Sequence, residues 1–337
     1  MKERKSNFEL LRIVCILMII TLHYCNGDIG GALANTVNKV SNYYIINIME
    51  SLCIVAVNVF ILITGYFSYD KKSIKISKIF KLIFLCVFYG IMIYIILLLT
   101  NKVNVDKDSL LLLLKTIFDR WFIVIYIILY LLIPYINKLI DNISKKDLWN
   151  LILINYVFFY LWTTIFTKTP LRDNGYGIVN FITLYLIGAY ISKYNKKDIS
   201  KIKTFLMYVI CSLLTFAYVK VTSNSYAYNN IFVLIASVSL FLTFKNMNIN
   251  YNKVINYLAT FTIPIYVIHE NLFISKILYR DIFKCDHFYK SNYILINMIY
   301  TVIGIYLICI IVEIVRRLIM KKIVDEKIEK IKYELKV

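Results

Sequence analysis

Apolar residues along this chain fall into repeated runs of near-constant length, separated by short polar segments. Ten runs are read, at 8–26, 43–69, 78–99, 120–137, 148–166, 177–193, 204–221, 229–245, 257–279 and 292–319. A helix rises about 1.5 Å per residue, so roughly 20 apolar residues cross a hydrocarbon core of about 30 Å. Backbone polar groups in lipid must be satisfied within the segment, so the runs are predicted to be helices. They lack the alternation of a transmembrane β-barrel. The pattern therefore predicts an all-α polytopic integral membrane protein of about ten transmembrane helices. A shorter run, LLLLLK at 110–115, is half a span and is read as a re-entrant or interfacial helix. Pro134 and Pro264 are predicted to kink the runs that hold them. The stretch TKTPLRDNGYG at 167–177 reads as turns.

Composition agrees with the pattern. Of the 337 residues, 60% are hydrophobic, against about 45–50% in a soluble domain. The formal net charge of +19 would suggest nucleic acid in a soluble chain. Here Lys and Arg concentrate before the first run, in alternate loops such as KKSIKISK (71–78), and after the last run. The positive-inside rule explains this with both termini cytoplasmic and an even number of spans. The first run lacks a small-residue cleavage site and holds Glu9 and Arg12, so it reads as a retained helix, not a secretory signal. Two parts are expected: a transmembrane domain over 1–319, and a basic amphipathic cytoplasmic tail over 320–337. In the tail, apolar residues at 324, 328, 331 and 335 are spaced for a surface helix. Seven Cys without a CxxC spacing are read as core or lipid-facing residues, and no metal site is expected.

Charged groups at membrane depth are costly and mark candidate sites. The first run, FELLRIVCILMIITLHYCN (8–26), carries Glu9, Arg12 and His23. Eleven residues separate Arg12 from His23, which puts both on one helix face, about 16 Å apart. Glu9 lies one turn before Arg12 and is placed to pair with it. The ninth run, YLATFTIPIYVIHENLFISKILY (257–279), places His269 beside Glu270 near its middle. Asn58 is buried in the second run, and His287 falls in an outer loop.

Four stretches, in order along the chain, resemble the membrane-bound acyltransferase 3 family. RKSNFELLRIVCILMIITLHY (4–24) carries an Arg-x10-His pair as Arg12 and His23. NVFILITGYF (58–67) is similar to the second-helix ending, with Thr64 where Ser is common. RWFIVIYIILYLLIPYIN (120–137) is similar to a Trp-Phe…Tyr…Leu-Pro stretch, and TIPIYVIHENLF (262–273) to a late helix ending in His. The chain departs from the family at the start of the third helix, where Lys78 and Lys81 stand in place of an Arg pair. Lysine supplies charge without the bidentate fork.

The resemblance implies transfer of an acyl group, usually acetyl, from cytoplasmic acetyl-CoA to a hydroxyl of an envelope or exported glycan. Localisation is then the bacterial cytoplasmic membrane, multi-pass, with no nucleic-acid partner. His23 is the candidate base, because a neutral imidazole can take the proton of an attacking hydroxyl. An acyl-histidine relay is a second route, and the residues leave both open. Arg12, Lys78 and Lys81 are candidates for the phosphates of coenzyme A. His269 and Glu270 are candidates to orient His23 or the acceptor. The outer aromatics Trp121, Tyr176 and Tyr226 are placed to stack on sugar rings. The alternative is a polytopic exporter or flippase of a lipid-linked glycan without acyl chemistry. A transporter is expected to show two related halves with paired broken helices, and no such repeat is present. A glycan polymerase is expected to carry larger, carboxylate-rich outer loops.

Overall fold

The computed structural model describes residues 5–37, 39–166, 171, 173–195, 199–222 and 225–336. Lys2, Arg4, residues 167–170 and Arg172 lie outside them. The described residues form an almost wholly helical membrane protein. Seven helices are long and apolar enough to cross a membrane, and two shorter apolar helices, Ile178–Tyr194 and Ile231–Lys245, accompany them.

The first helix, α1 (Ser6–Cys25), sits at the centre. Its Leu11, Cys15 and Ile20 are fully buried. It packs on α2 (Val40–Cys53), α3 (Ala56–Ser68) and the long α13 (Ile294–Met320). The second apolar run is thus two helices, joined at Ile54 and Val55. Next come α4 (Ser77–Leu99), α5 (Lys107–Phe118) and α6 (Trp121–Asn142). The LLLLLK run lies in α5, where Asp106 and Ser109 form a capping box that fixes the start. Leu110, Leu111 and Leu114 point outward from it. α6 runs through Pro134. The region Lys145–Ile165 begins as α7 (Lys145–Asn155) and is mostly peripheral.

α8 (Ile178–Tyr194) packs along α3 at very close range. A Cβ on Gly65 would stand 2.2 Å from the Tyr185 carbonyl oxygen, and one on Gly188 would stand 2.3 Å from that of Leu62. Small residues permit such backbone approach between apolar helices. α9 (Lys201–Tyr218) pairs with α10 (Ile231–Lys245).

The ninth run is not one helix. It divides into α11 (Lys253–Leu258), a 3-10 turn at Ala259–Phe261 and α12 (Thr262–His269), with a turn and then a π-helical segment, Ile277–Ile282, beyond. Pro264 falls in the first turn of α12, where its missing N–H has no helical acceptor to lose. The break is held from outside, because Arg317 donates to the Thr260 carbonyl at 2.8 Å and to its hydroxyl at 2.9 Å.

The tail departs from the expected continuous helix. A π-helical turn at Lys321–Asp325 and the short α14 (Glu326–Glu329) lead into β2 (Glu334–Lys336). β2 pairs antiparallel with β1 (Ser73–Lys75), with Ile74 opposite Leu335. Arg316 anchors the turn through Glu313 at 2.8 Å and Asp325 at 3.1 Å. Lys5, the 69–76 loop and the tail therefore share one end of the molecule, called here the termini end. The C-terminal end of α1 and the loop bearing Tyr226 and Tyr228 lie at the opposite end.

Candidate active site

Two histidines that are 246 residues apart in sequence meet inside the helix bundle. His23 Nδ1 and His269 Nε2 are 3.0 Å apart. His269 is fully buried, and its Nδ1 lies 2.6 Å from the Ile265 carbonyl oxygen. A carbonyl only accepts, so in the neutral ring His269 Nδ1 carries the proton and Nε2 is the acceptor. His23 Nδ1 must then donate to it, which leaves His23 Nε2 with a free lone pair. The tautomers follow from the hydrogen-bond partners. His23 lines a cavity of about 340 Å³.

The same cavity holds two carboxylates, Glu50 and Glu270. Glu270 ends α12 and faces Arg120, with 3.6 Å between Oε2 and Nη1. Arg120 is 5% exposed, and its Nε donates to the Thr116 carbonyl at 2.6 Å. Glu50 comes from α2 and touches the Cys25 thiol, while its Oε2 has no hydrogen-bond partner among the described residues. Three aromatic rings gather at the wall nearer the opposite end. Trp121 lies 4.6 Å from Tyr176 and 5.7 Å from Tyr228, centroid to centroid. Asn58 fixes this wall by donating to the Tyr228 carbonyl at 2.8 Å. Asn180 Nδ2 in turn reaches Asn58 Oδ1 at 3.3 Å. Tyr226 also lines the cavity, held through its hydroxyl to Asn47 at 2.8 Å.

Arg12 and His23 share α1 but not a cavity. Arg12 pairs with Glu9 at 2.6 Å. It faces a smaller space of about 180 Å³ nearer the termini end, with Lys71, Lys78 and Tyr126. Lys71 is pushed below the ordinary lysine range, first by burial and then by the neighbouring Lys78 charge. A larger cavity of about 640 Å³ adjoins it through Lys78, Leu82 and Tyr126. Lys81 and Lys321 line that cavity, and Lys81 Nζ lies 3.3 Å from Glu329. Arg316 and Arg317 also line it but are already committed to Glu313, Asp325 and Thr260. Among the described residues Ile263 alone lines both this cavity and the one holding His23.

The structure therefore brings His23, His269 and Glu270 together, with Trp121, Tyr176 and Tyr226 around the same cavity. It places Arg12 and Lys78 at the smaller space and Lys78 and Lys81 at the larger cavity adjoining it, both apart from His23. His287 lies exposed beside Asp286, away from both. Sequence reasoning missed Glu50, Arg120 and Tyr228. Glu50 carries the signal used for Glu270, a carboxylate inside an apolar run, and was legible on that ground. Arg120 opens an apolar run beside Trp121, as an ordinary interfacial arginine does. All seven cysteines are free and buried, and the described residues hold no cluster of three His, Cys, Asp or Glu that could bind a metal.

No curated protein and no solved structure matches the chain. A family model described as an acyltransferase domain matches residues 5–313, nearly its whole length. The chain thus belongs to the acyltransferase 3 family and is a multi-pass membrane acyltransferase.

Proposed function

We propose that the protein is an O-acetyltransferase that moves an acetyl group from acetyl-CoA to a hydroxyl of an envelope glycan in the bacterial cytoplasmic membrane. In this reading both termini are cytoplasmic, which the concentration of Lys and Arg at the termini end supports. The two adjoining spaces lined by Arg12, Lys71, Lys78, Lys81 and Lys321 receive the anionic coenzyme. The thioester reaches toward His23 past Ile263, and the acceptor hydroxyl approaches from the aromatic wall. His23 Nε2 takes the hydroxyl proton as the oxygen attacks the thioester carbonyl. The C–O bond forms, the C–S bond breaks, and the proton passes to the leaving thiolate, giving ester and free coenzyme A. His269 holds His23 in the tautomer that can do this, and Arg120 holds Glu270 in place.

The observation that carries the reading is the ordered proton arrangement Ile265–His269–His23, which leaves one nitrogen free on an imidazole that lines a cavity. A base in this position contributes about 10²–10⁴-fold in rate. The test supplies labelled acetyl-CoA to membranes from cells expressing wild type or His23→Ala at matched protein levels, with the native host's glycans present. Label in extracted glycan is expected with wild type and lost with the variant. Equal labelling would remove His23 from the chemistry.

A further inference from the structure

The His23 cavity carries information about its acceptor through the charges it contains. Its described lining residues include Glu50 and Glu270 and no Lys or Arg. Two arginines stand behind this lining, each facing one of its residues. Arg120 faces Glu270, and Arg280 donates to the Ile29 carbonyl at 2.7 Å and to that of Gly27 at 3.1 Å. Glu50 is 8% exposed, and its Oε2 has no hydrogen-bond partner among the described residues. A buried acceptor atom without a donor is costly, so a ligand hydroxyl or ammonium placed there satisfies it. An anionic group placed there finds two acidic side chains and no Lys or Arg among the described lining residues to balance its charge, so its burial is unfavourable. Trp121, Tyr176 and Tyr228 supply flat apolar surface on the same wall, suited to the C–H face of a pyranose.

From this geometry we infer that the acceptor is a neutral or amino sugar, held by Glu50 and stacked on the Trp121 wall, and that acidic sugars are excluded. The inference rests on the acyl-transfer reading, because it names the acceptor class of that site. Glu50 is accordingly a specificity-determining residue that accepts a hydrogen bond from a ring hydroxyl or amine.

The test is binding, read through Trp121, one of only three tryptophans in the chain. Full-length protein in lipid nanodiscs is titrated with methyl glycosides of glucose, galactose, mannose and N-acetylglucosamine. The matched uronides of the three hexoses differ from them only at C6, and Trp121→Phe identifies the signal. At least one neutral glycoside is expected to shift Trp121 emission and to bind at least tenfold tighter than its uronide. Glu50→Gln is expected to narrow that ratio at least threefold. A uronide binding as tightly as its parent, or no glycoside moving Trp121 emission, would overturn the inference. Label transfer from acetyl-CoA to the bound glycoside, measured on the same sample, reports separately on acyl transfer. Sugar selectivity without label transfer would remove the acyl-transfer reading and keep the acceptor class. Label transfer to uronides would do the reverse.

Discussion

At the scale of single residues, the site depends on one side chain fixing the state of another. His269 is locked by the Ile265 carbonyl and in turn dictates which nitrogen of His23 is free. Replacing His269 by Phe keeps an aromatic ring of similar size but removes the acceptor. His23 is then free to rotate or change tautomer, and kcat is expected to fall about 10²-fold with little change in KM. Steady-state transfer at varied acceptor concentration checks this, and an unchanged kcat would make His269 a packing residue. Arg120 and Glu270 behave differently, as a buried pair. Removing one partner of such a pair strands a charge and costs about 3–5 kcal/mol, whereas replacing both by apolar groups is often near neutral. Arg120→Met should therefore lower thermal stability sharply, and Arg120→Met/Glu270→Leu should recover most of it. A double variant no more stable than the single one would mean that Glu270 is already neutral beside Arg120.

At the scale of elements, α3 and α8 are held together by backbone contact at Gly65 and Gly188. The carbonyls of Tyr185 and Leu62 occupy the space that a methyl group would need. Backbone carbonyls cannot move aside as a side-chain tip can. Overpacking in a close-packed interior costs about 1–3 kcal/mol, so Gly65→Ala and Gly188→Ala should each lower the melting temperature in detergent. α8 also carries Asn180, which props Asn58 and hence the Tyr228 wall. A parted interface should weaken acceptor binding before it affects the histidines. The helices themselves were legible, because about 20 apolar residues in a row have few alternatives in lipid. Their interruptions were not. The second run divides at Ile54 and Val55 within an unbroken apolar sequence, and the ninth is broken where Arg317, far along the chain, bonds to Thr260. A tertiary partner holds the break in the ninth run, and the local pattern carries no record of either break. The tail shows the same limit, since its helical spacing yields to a strand once Ile74 is available opposite Leu335.

At the scale of the whole molecule, two chambers meet at one side chain. Positive charge gathers at the termini end around Lys71, Lys78 and Lys81, while carboxylates and aromatics line the His23 cavity. The sequence supplied most of the groups, as ionisable or aromatic residues in or beside apolar runs, but not the partition between them. Arg12 and His23 share a helix face and yet serve different chambers. Ile263 touches both cavities, between Thr262 on the His23 side and Pro264 on the other. In the proposed reading an acyl group travelling from coenzyme A to His23 passes it, so its size should limit the length of the acyl chain. A difference of one methylene in a fitted apolar passage is worth about 1–3 kcal/mol, or 10–200-fold. Ile263→Ala should raise transfer from butyryl-CoA relative to acetyl-CoA by about tenfold or more, and Ile263→Phe should depress transfer from both. Neither change touches the His23–His269 contact or the Trp121 wall, so glycoside binding read through Trp121 should persist in both variants. Transfer from acetyl-, propionyl- and butyryl-CoA in matched membranes measures the ratio. If it stays the same in both variants, the acyl group reaches His23 by a route other than Ile263, and the two chambers are not donor and acceptor halves of one passage.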